Sequence, residues 1–175
     1  MKPLIKDGRI VADEWSLLSH EALGDIDLTP AGPRQIVRLA HYHTHAEVLR
    51  TQGHRIAILL GPDDEPDAVA RYLADIALVA IHFPSFTDGR GYSTARLLRV
   101  RFNFSAEIRA VGDILRDQLY FLHRCGFDAF SLRADQDVNA ALSAFDDYAW
   151  APDFGALPRT APKGSLPLRD PAADK

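Results

Sequence analysis

A chain of 175 residues, 47% hydrophobic and 25% charged, has the makeup of one globular domain with a substantial core. Its 20 Lys and Arg against 24 Asp and Glu leave a formal charge of -4, which argues against a general nucleic-acid binder held by phosphate neutralisation. One cysteine, Cys125, excludes an internal disulfide, a Cys-x-x-Cys redox pair and an iron-sulfur cluster held wholly by the chain's own thiolates.

In chain order, residues 3–12 alternate around Asp7-Gly8 and predict a small amino-terminal β-hairpin. The polar start of the chain lacks the apolar middle of a secretory signal, so the expected location is the cytoplasm. After a polar segment, Gly32-Pro33 precedes a pattern read as helical through Arg50. From there short apolar strands alternate with amphipathic helices. The strands are expected at 54–60, 76–83, 107–111 and 127–132, and the helices at about 66–75, 94–103, 114–125 and 137–148. The apolar runs 56–60 and 76–83 fall far short of the roughly 20 residues of a membrane span, so no membrane association is expected.

This alternation defines an α/β class with a mainly parallel sheet built from repeated βα units and helices on its faces. A partial (β/α) barrel has the same periodicity and stands as the alternative. Residues 1–150 are expected to form the single domain. Residues 151–175 hold five of the eleven prolines and predict a disordered tail.

In parallel α/β sheets ligands bind beyond the carboxyl ends of the strands, which directs attention to four connecting loops. The most informative is Phe86-Thr87-Asp88-Gly89-Arg90-Gly91-Tyr92-Ser93. Its two glycines suggest a backbone bend, and a helix starting at Ser93 would add free amides and the positive end of its dipole, a corner suited to an anion. The candidate ligand-binding residues are Thr87, Gly89, Arg90, Gly91, Tyr92, Ser93 and Arg96, joined on the neighbouring rim by Arg109, Gly112, Asp113 and Arg116. Asp88 is the candidate acid-base group, on the reasoning that Ser93 caps the helix and leaves its carboxylate free to face a ligand, with holding Arg90 or shaping the turn as the structural alternatives.

Competing structural readings accompany several of these residues. Asp63, Asp88, Asp113 and Asp135 form a carboxylate rim able to hold magnesium, yet Asp64, Asp113 and Asp137 precede helical patterns, where aspartate is a preferred cap. Capping is favoured over metal binding, and no metal site is assigned. Arg96 and Arg99 read as surface or structural pairing more readily than as ligand contacts, and Arg109 and Arg116 have carboxylate partners available nearby. His41, His43 and His45 lack a third ligand in zincin spacing, His82 reads as a hydrogen-bonded core histidine, and Cys125 as part of an apolar helical stripe.

Three blocks carry a family resemblance: Phe83-Pro84 with 86–93 and Ala95-Arg96-Leu97-Leu98-Arg99; Arg109-Ala110-Val111-Gly112-Asp113 with Leu115-Arg116-Asp117-Gln118; and Arg124-Cys125-Gly126-Phe127-Asp128-Ala129-Phe130. Over residues 1–148 the chain resembles the bacterial family known as domain of unknown function 934, whose members carry an oxidoreductase label tied to sulfite reduction. The chain departs from that family's pattern at Asn103 and Ala106, where glycine is usual, and in its longer proline-rich tail. The resemblance implies an accessory role in assimilatory sulfite or sulfate reduction, with an anion, a phosphate-bearing cofactor or sulfite reductase itself bound at loop 86–93. No G-x-G-x-x-G fingerprint or haem ligand set identifies a redox cofactor, so the cofactor is unknown and enzyme status open. An independent enzyme acting on a phosphorylated or sulfonated small molecule, and a non-catalytic interaction module, are the alternatives.

Overall fold

The computed structural model describes residues 2–17, 34–51 and 56–145. Eight strands form one mixed sheet: β1 (Pro3–Lys6), β2 (Arg9–Ala12), β3 (Trp15–Leu17), β4 (Arg34–Arg38), β5 (Ile56–Leu60), β6 (Leu78–Phe83), β7 (Glu107–Gly112) and β8 (Ala129–Phe130), in the order β2-β1-β8-β7-β6-β5-β4-β3. From β3 to β8 the neighbours are parallel, whereas β1 is antiparallel to both β2 and β8. The expected hairpin is thus present and extends the main sheet, turning at Asp7 (φ 51°) and Gly8 (φ 70°), the paired left-handed geometry an Asp-Gly turn favours.

The topology forces curvature. Strands β2 and β3 are the two outermost strands, yet only Asp13 and Glu14 separate them in the chain. Eight flat strands would place those edges roughly 34 Å apart at the usual inter-strand spacing, and a link this short spans roughly 11 Å at most. The sheet therefore curls into a half-barrel, the alternative architecture named above, rather than lying open.

Among the described residues the α-helices are α1 (Leu39–Thr44), α2 (Ala46–Arg50), α3 (Pro66–Val69), α4 (Arg90–Val100), α5 (Leu119–Arg124) and α6 (Val138–Ala141), several extended by 3-10 turns. The described helices all pack on one face of the sheet. Each described helix buries its apolar side in a single large cluster with Ile58, Val79, Ile81, Phe83, Ile108 and Phe130. The opposite, concave face has a small cluster made by Ile36, Ala57, Leu59, Leu78 and Ala80, with Trp15 and Val111 packed on it. Strand alternation explains the division: Ala57 and Leu59 point inward where Ile56, Ile58 and Leu60 point to the helices.

Three element expectations are corrected. The pattern read as helical through Arg50 begins instead with strand β4, whose Gln35, Ile36 and Val37 are buried on alternate faces; a short run buried on both sides does not reveal its period. The helix expected at 94–103, the second of the βα repeat, starts earlier, at Arg90. The expected β8 contracts to Ala129–Phe130, with single ladder bonds on either side from Asp128 N–H to Ile108 O (2.9 Å) and Ser131 N–H to Ala110 O (2.9 Å). His54, Arg55 and the proline-rich tail lie outside the described residues. No described helix is long and apolar enough to cross a membrane.

Candidate functional site

The loops following β5, β6, β7 and β8 meet at the carboxyl rim of the half-barrel, and two arginine clusters tie them together. At the start of α4, Arg90 grips Asp88 with Nε (3.0 Å) and Nη2 (2.7 Å), and its Nη1 reaches Asp63 in the preceding βα loop (2.5 Å). On the other side, Arg133 grips Asp135 with Nε (2.7 Å) and Nη2 (2.8 Å), while its Nη1 donates to Asp113 (2.7 Å). Each guanidinium faces two carboxylates, so each cluster carries an excess negative charge.

Several expected roles change at this point. Asp88 does not stand free, because its Oδ1 also accepts the Arg90 backbone N–H (3.1 Å) just outside the helix, while Gly89 occupies the cap position with an ordinary φ of -85°. Ser93 lies inside α4 and is exposed, so it neither caps nor opens the helix. Gly91 supplies close approach rather than a bend: a Cβ there would sit 2.5 Å from the Phe83 ring. Gly112 does require glycine, with φ at +103° and a Cβ that would overlap the Phe83 carbonyl oxygen.

Electrostatics follow from this geometry. The Arg90 side chain, and then its backbone N–H, hold the Asp88 carboxyl below the usual range, the reverse of the upward tuning that a general acid or base needs near neutrality. Asp113 is lowered by the Phe86 N–H and then by Arg133, and Asp135 by Arg133. Both guanidinia are correspondingly harder to deprotonate, through Asp88 foremost for Arg90 and Asp135 foremost for Arg133. With their donors committed to protein carboxylates, neither arginine presents an open fork to an anion.

Between the two clusters the loop presents Phe86. Its N–H donates to Asp113 Oδ2 (2.9 Å) and its carbonyl accepts from Gln118 Nε2 (3.1 Å), so the backbone is clamped on both sides while the ring is 50% exposed. The same Gln118 amide reaches the Tyr92 hydroxyl (3.3 Å), and Tyr92 packs edge-on against Phe83. Thr87 bonds Ser85 through their hydroxyls (2.9 Å). Gln118 is not among the residues expected at the site; a polar, buried side chain within the apolar stripe of its helix is the signal by which it can be found.

The remaining candidates separate. Arg109 is buried on the concave face, paired with Asp13 (2.6 Å) and Glu107 (2.7 Å), and so neither reaches the rim nor bridges Asp113 or Asp117. Arg116 turns to Ser143 Oγ (2.9 Å), and its N–H donates to Gln136 Oε1 (3.3 Å). Arg96 is exposed along α4. Arg99 is the structural residue expected of it: its guanidinium serves the carbonyls of Phe104, Ala106 and Gly126 and the Asp128 carboxylate. Asp137 caps α6 as expected, accepting from Asn139 N–H (2.8 Å), whereas Asp64 closes its own loop on Gly61 N–H (2.7 Å) and Asp113 serves the rim. Among the histidines, His41 stacks on His45 and His43 meets the Tyr72 hydroxyl (2.9 Å); no group of three or more metal-ligating side chains occurs among the described residues. Burial raises the Cys125 thiol pKa, in keeping with its place against the core.

Fold and rim together define a singly wound α/β half-barrel whose strand-end loops are cross-braced by arginine-carboxylate clusters. The chain belongs to the family described as bacterial protein of unknown function (DUF934), whose model matches residues 57–153, the stretch that contains both clusters. No curated protein matches the chain, and no solved structure does.

Proposed function

We propose that this protein is an accessory component of sulfite reduction that docks a partner protein through the loop carrying Phe86. The supporting observation is the clamped, half-exposed Phe86 between two carboxylate-rich clusters. An aromatic ring held out on a backbone braced from both sides loses little freedom on binding, which suits an anchor residue in a protein interface. The excess negative charge beside it favours a partner surface that is basic around an apolar pocket. Saturation of Arg90 and Arg133 by carboxylates weighs against a small anion as the occupant of this loop. The link to sulfite reduction rests on the resemblance of the central sequence blocks, with sulfite reductase as the first partner to test.

Affinity capture with purified sulfite reductase tests the reading directly. Binding should be saturable, weaken at high ionic strength, and fall by roughly tenfold or more in Phe86→Ala, as for a central aromatic anchor. Normal sulfite reduction and sulfate-dependent growth in a deletion strain, together with no capture, would overturn it.

A further inference from the structure

The concave face carries a second set of polar groups that the rim clusters do not use. Inward-facing residues follow the strand registers: Arg38 lies opposite Leu59, Leu59 opposite Ala80, and His82 opposite Val111. The bond from Ser131 N–H to Ala110 O continues the β7–β8 ladder one step, setting Ser131 beyond Val111. Phe130 and Leu132 belong to the helix-side core, so Ser131 between them faces the concavity, where it is 8% exposed. Arg38, His82 and Ser131 therefore stand at the carboxyl end of the concave face, around an apolar floor of Leu59, Ala80 and Val111.

Among the described residues, none of these three side chains has a hydrogen-bond or ion-pair partner. The nearby acids are committed elsewhere. Asp13 and Glu107 hold Arg109, Glu107 also takes Lys6, Asp64 holds Gly61 N–H, and Asp113 holds Phe86 and Arg133. Burial and then the Arg38 charge lower the His82 pKa, as expected beside a cation with no counter-charge. Curvature of the sheet turns inward-facing side chains toward one another, and an apolar floor strengthens any charge-assisted hydrogen bond made above it.

We propose that Arg38, His82 and Ser131 form a subsite for the oxyanion group of a small molecule, a carboxylate, phosphate or sulfur oxyanion. Arg38 supplies a planar fork, Ser131 a hydroxyl donor, and His82 a ring N–H. This site lies inside the mouth of the half-barrel and is independent of docking at Phe86.

The test follows the His82 imidazole by nuclear magnetic resonance in the full chain, with His82→Gln assigning the signal. Sodium acetate, phosphate and sulfate are titrated separately against sodium chloride at matched ionic strength, which distinguishes the oxyanion types. At least one oxyanion should shift the His82 signals saturably where chloride does not. Affinity should fall roughly tenfold or more in Arg38→Gln, the loss expected for a hydrogen bond to a charged group. Arg38 is exposed, so its replacement leaves the core intact, and Arg90→Gln should bind as the parent does. The proposal is overturned if none of the three oxyanions moves His82, if chloride moves it equally, or if Arg38→Gln binds unchanged.

Discussion

Arg90 and Arg99 occupy one helix, yet they do opposite work. Arg99, with its side chain 15% exposed, gathers three backbone carbonyls and Asp128 at the amino-terminal ends of β7 and β8. Arg90, 54% exposed, holds only loop carboxylates at the carboxyl rim. The same side chain is a structural clamp at the buried end of α4 and a loop organiser at the solvated end. Burial decides which, because a lost partner is replaced by water at the rim and by nothing in the interior. In (β/α) barrels generally, the strand starts serve stability and the strand-end loops carry the sites.

The strongest challenge to that contrast is Arg99→Met. It leaves three carbonyls without the guanidinium and Asp128 with only the Ile108 N–H (2.9 Å), and should cost about 3–5 kcal/mol in urea denaturation, the range for breaking a buried pair. If Arg99→Met and Arg90→Gln proved equally mild, the contrast would fail. Next come the glycines that let α4 and the rim close on β6. Gly91→Ala presses a methyl group on the Phe83 ring and should cost about 1–3 kcal/mol, as overpacking does. Gly112→Ala forces a Cβ against a backbone oxygen at positive φ and should cost at least about 1–3 kcal/mol. Thermal melts of both variants check this; an unchanged midpoint in either would show that the rim backbone relaxes freely.

A smaller effect sharpens the rim side through pH. The Asp113 carboxyl is lowered from 3.8 in the folded chain by the Phe86 N–H and then Arg133, so the unfolded chain binds more protons between the folded value and 3.8. The stability it contributes is therefore complete above 3.8 and is lost as pH falls through the folded value. Asp113→Asn should be less stable than the parent at neutral pH, and the gap should close in acid denaturation below that point; a gap that persists unchanged would remove the carboxylate's role. Smallest of all, Arg90→Gln should leave the melting midpoint close to that of the parent, because both its partners regain water.

How legible these features were in the chain differs by element. The Asp7-Gly8 hairpin announced itself through alternation and a turn dipeptide that demands positive φ, and β6 through an apolar run broken only by His82. Strand β4 stayed hidden, since Gln35, Ile36 and Val37 are buried on both faces and show neither period. The start of α4 was misplaced because a serine capping signal was preferred to Asp88, whose side chain takes the Arg90 N–H. Thr87, Asp88, Arg90 and Asp113 stand on loops to which the strand pattern points, and the Asp88–Arg90 pair is local, but Asp63, Arg133 and Gln118 arrive from other loops and no local pattern brings them there.

Local rules acting within a few residues settled the βα alternation, the hairpin, the cap at Asp137 and the core-facing stripes, because periodicity and side chain-to-backbone bonds depend on near neighbours. Curling of the sheet, burial of Arg109, pairing of the two rim arginines and the inward row of Arg38, His82 and Ser131 needed the assembled fold. Each depends on which distant strands lie side by side and how far apart the sheet's edges are, and those distances arise only when the two-residue link draws β2 and β3 together.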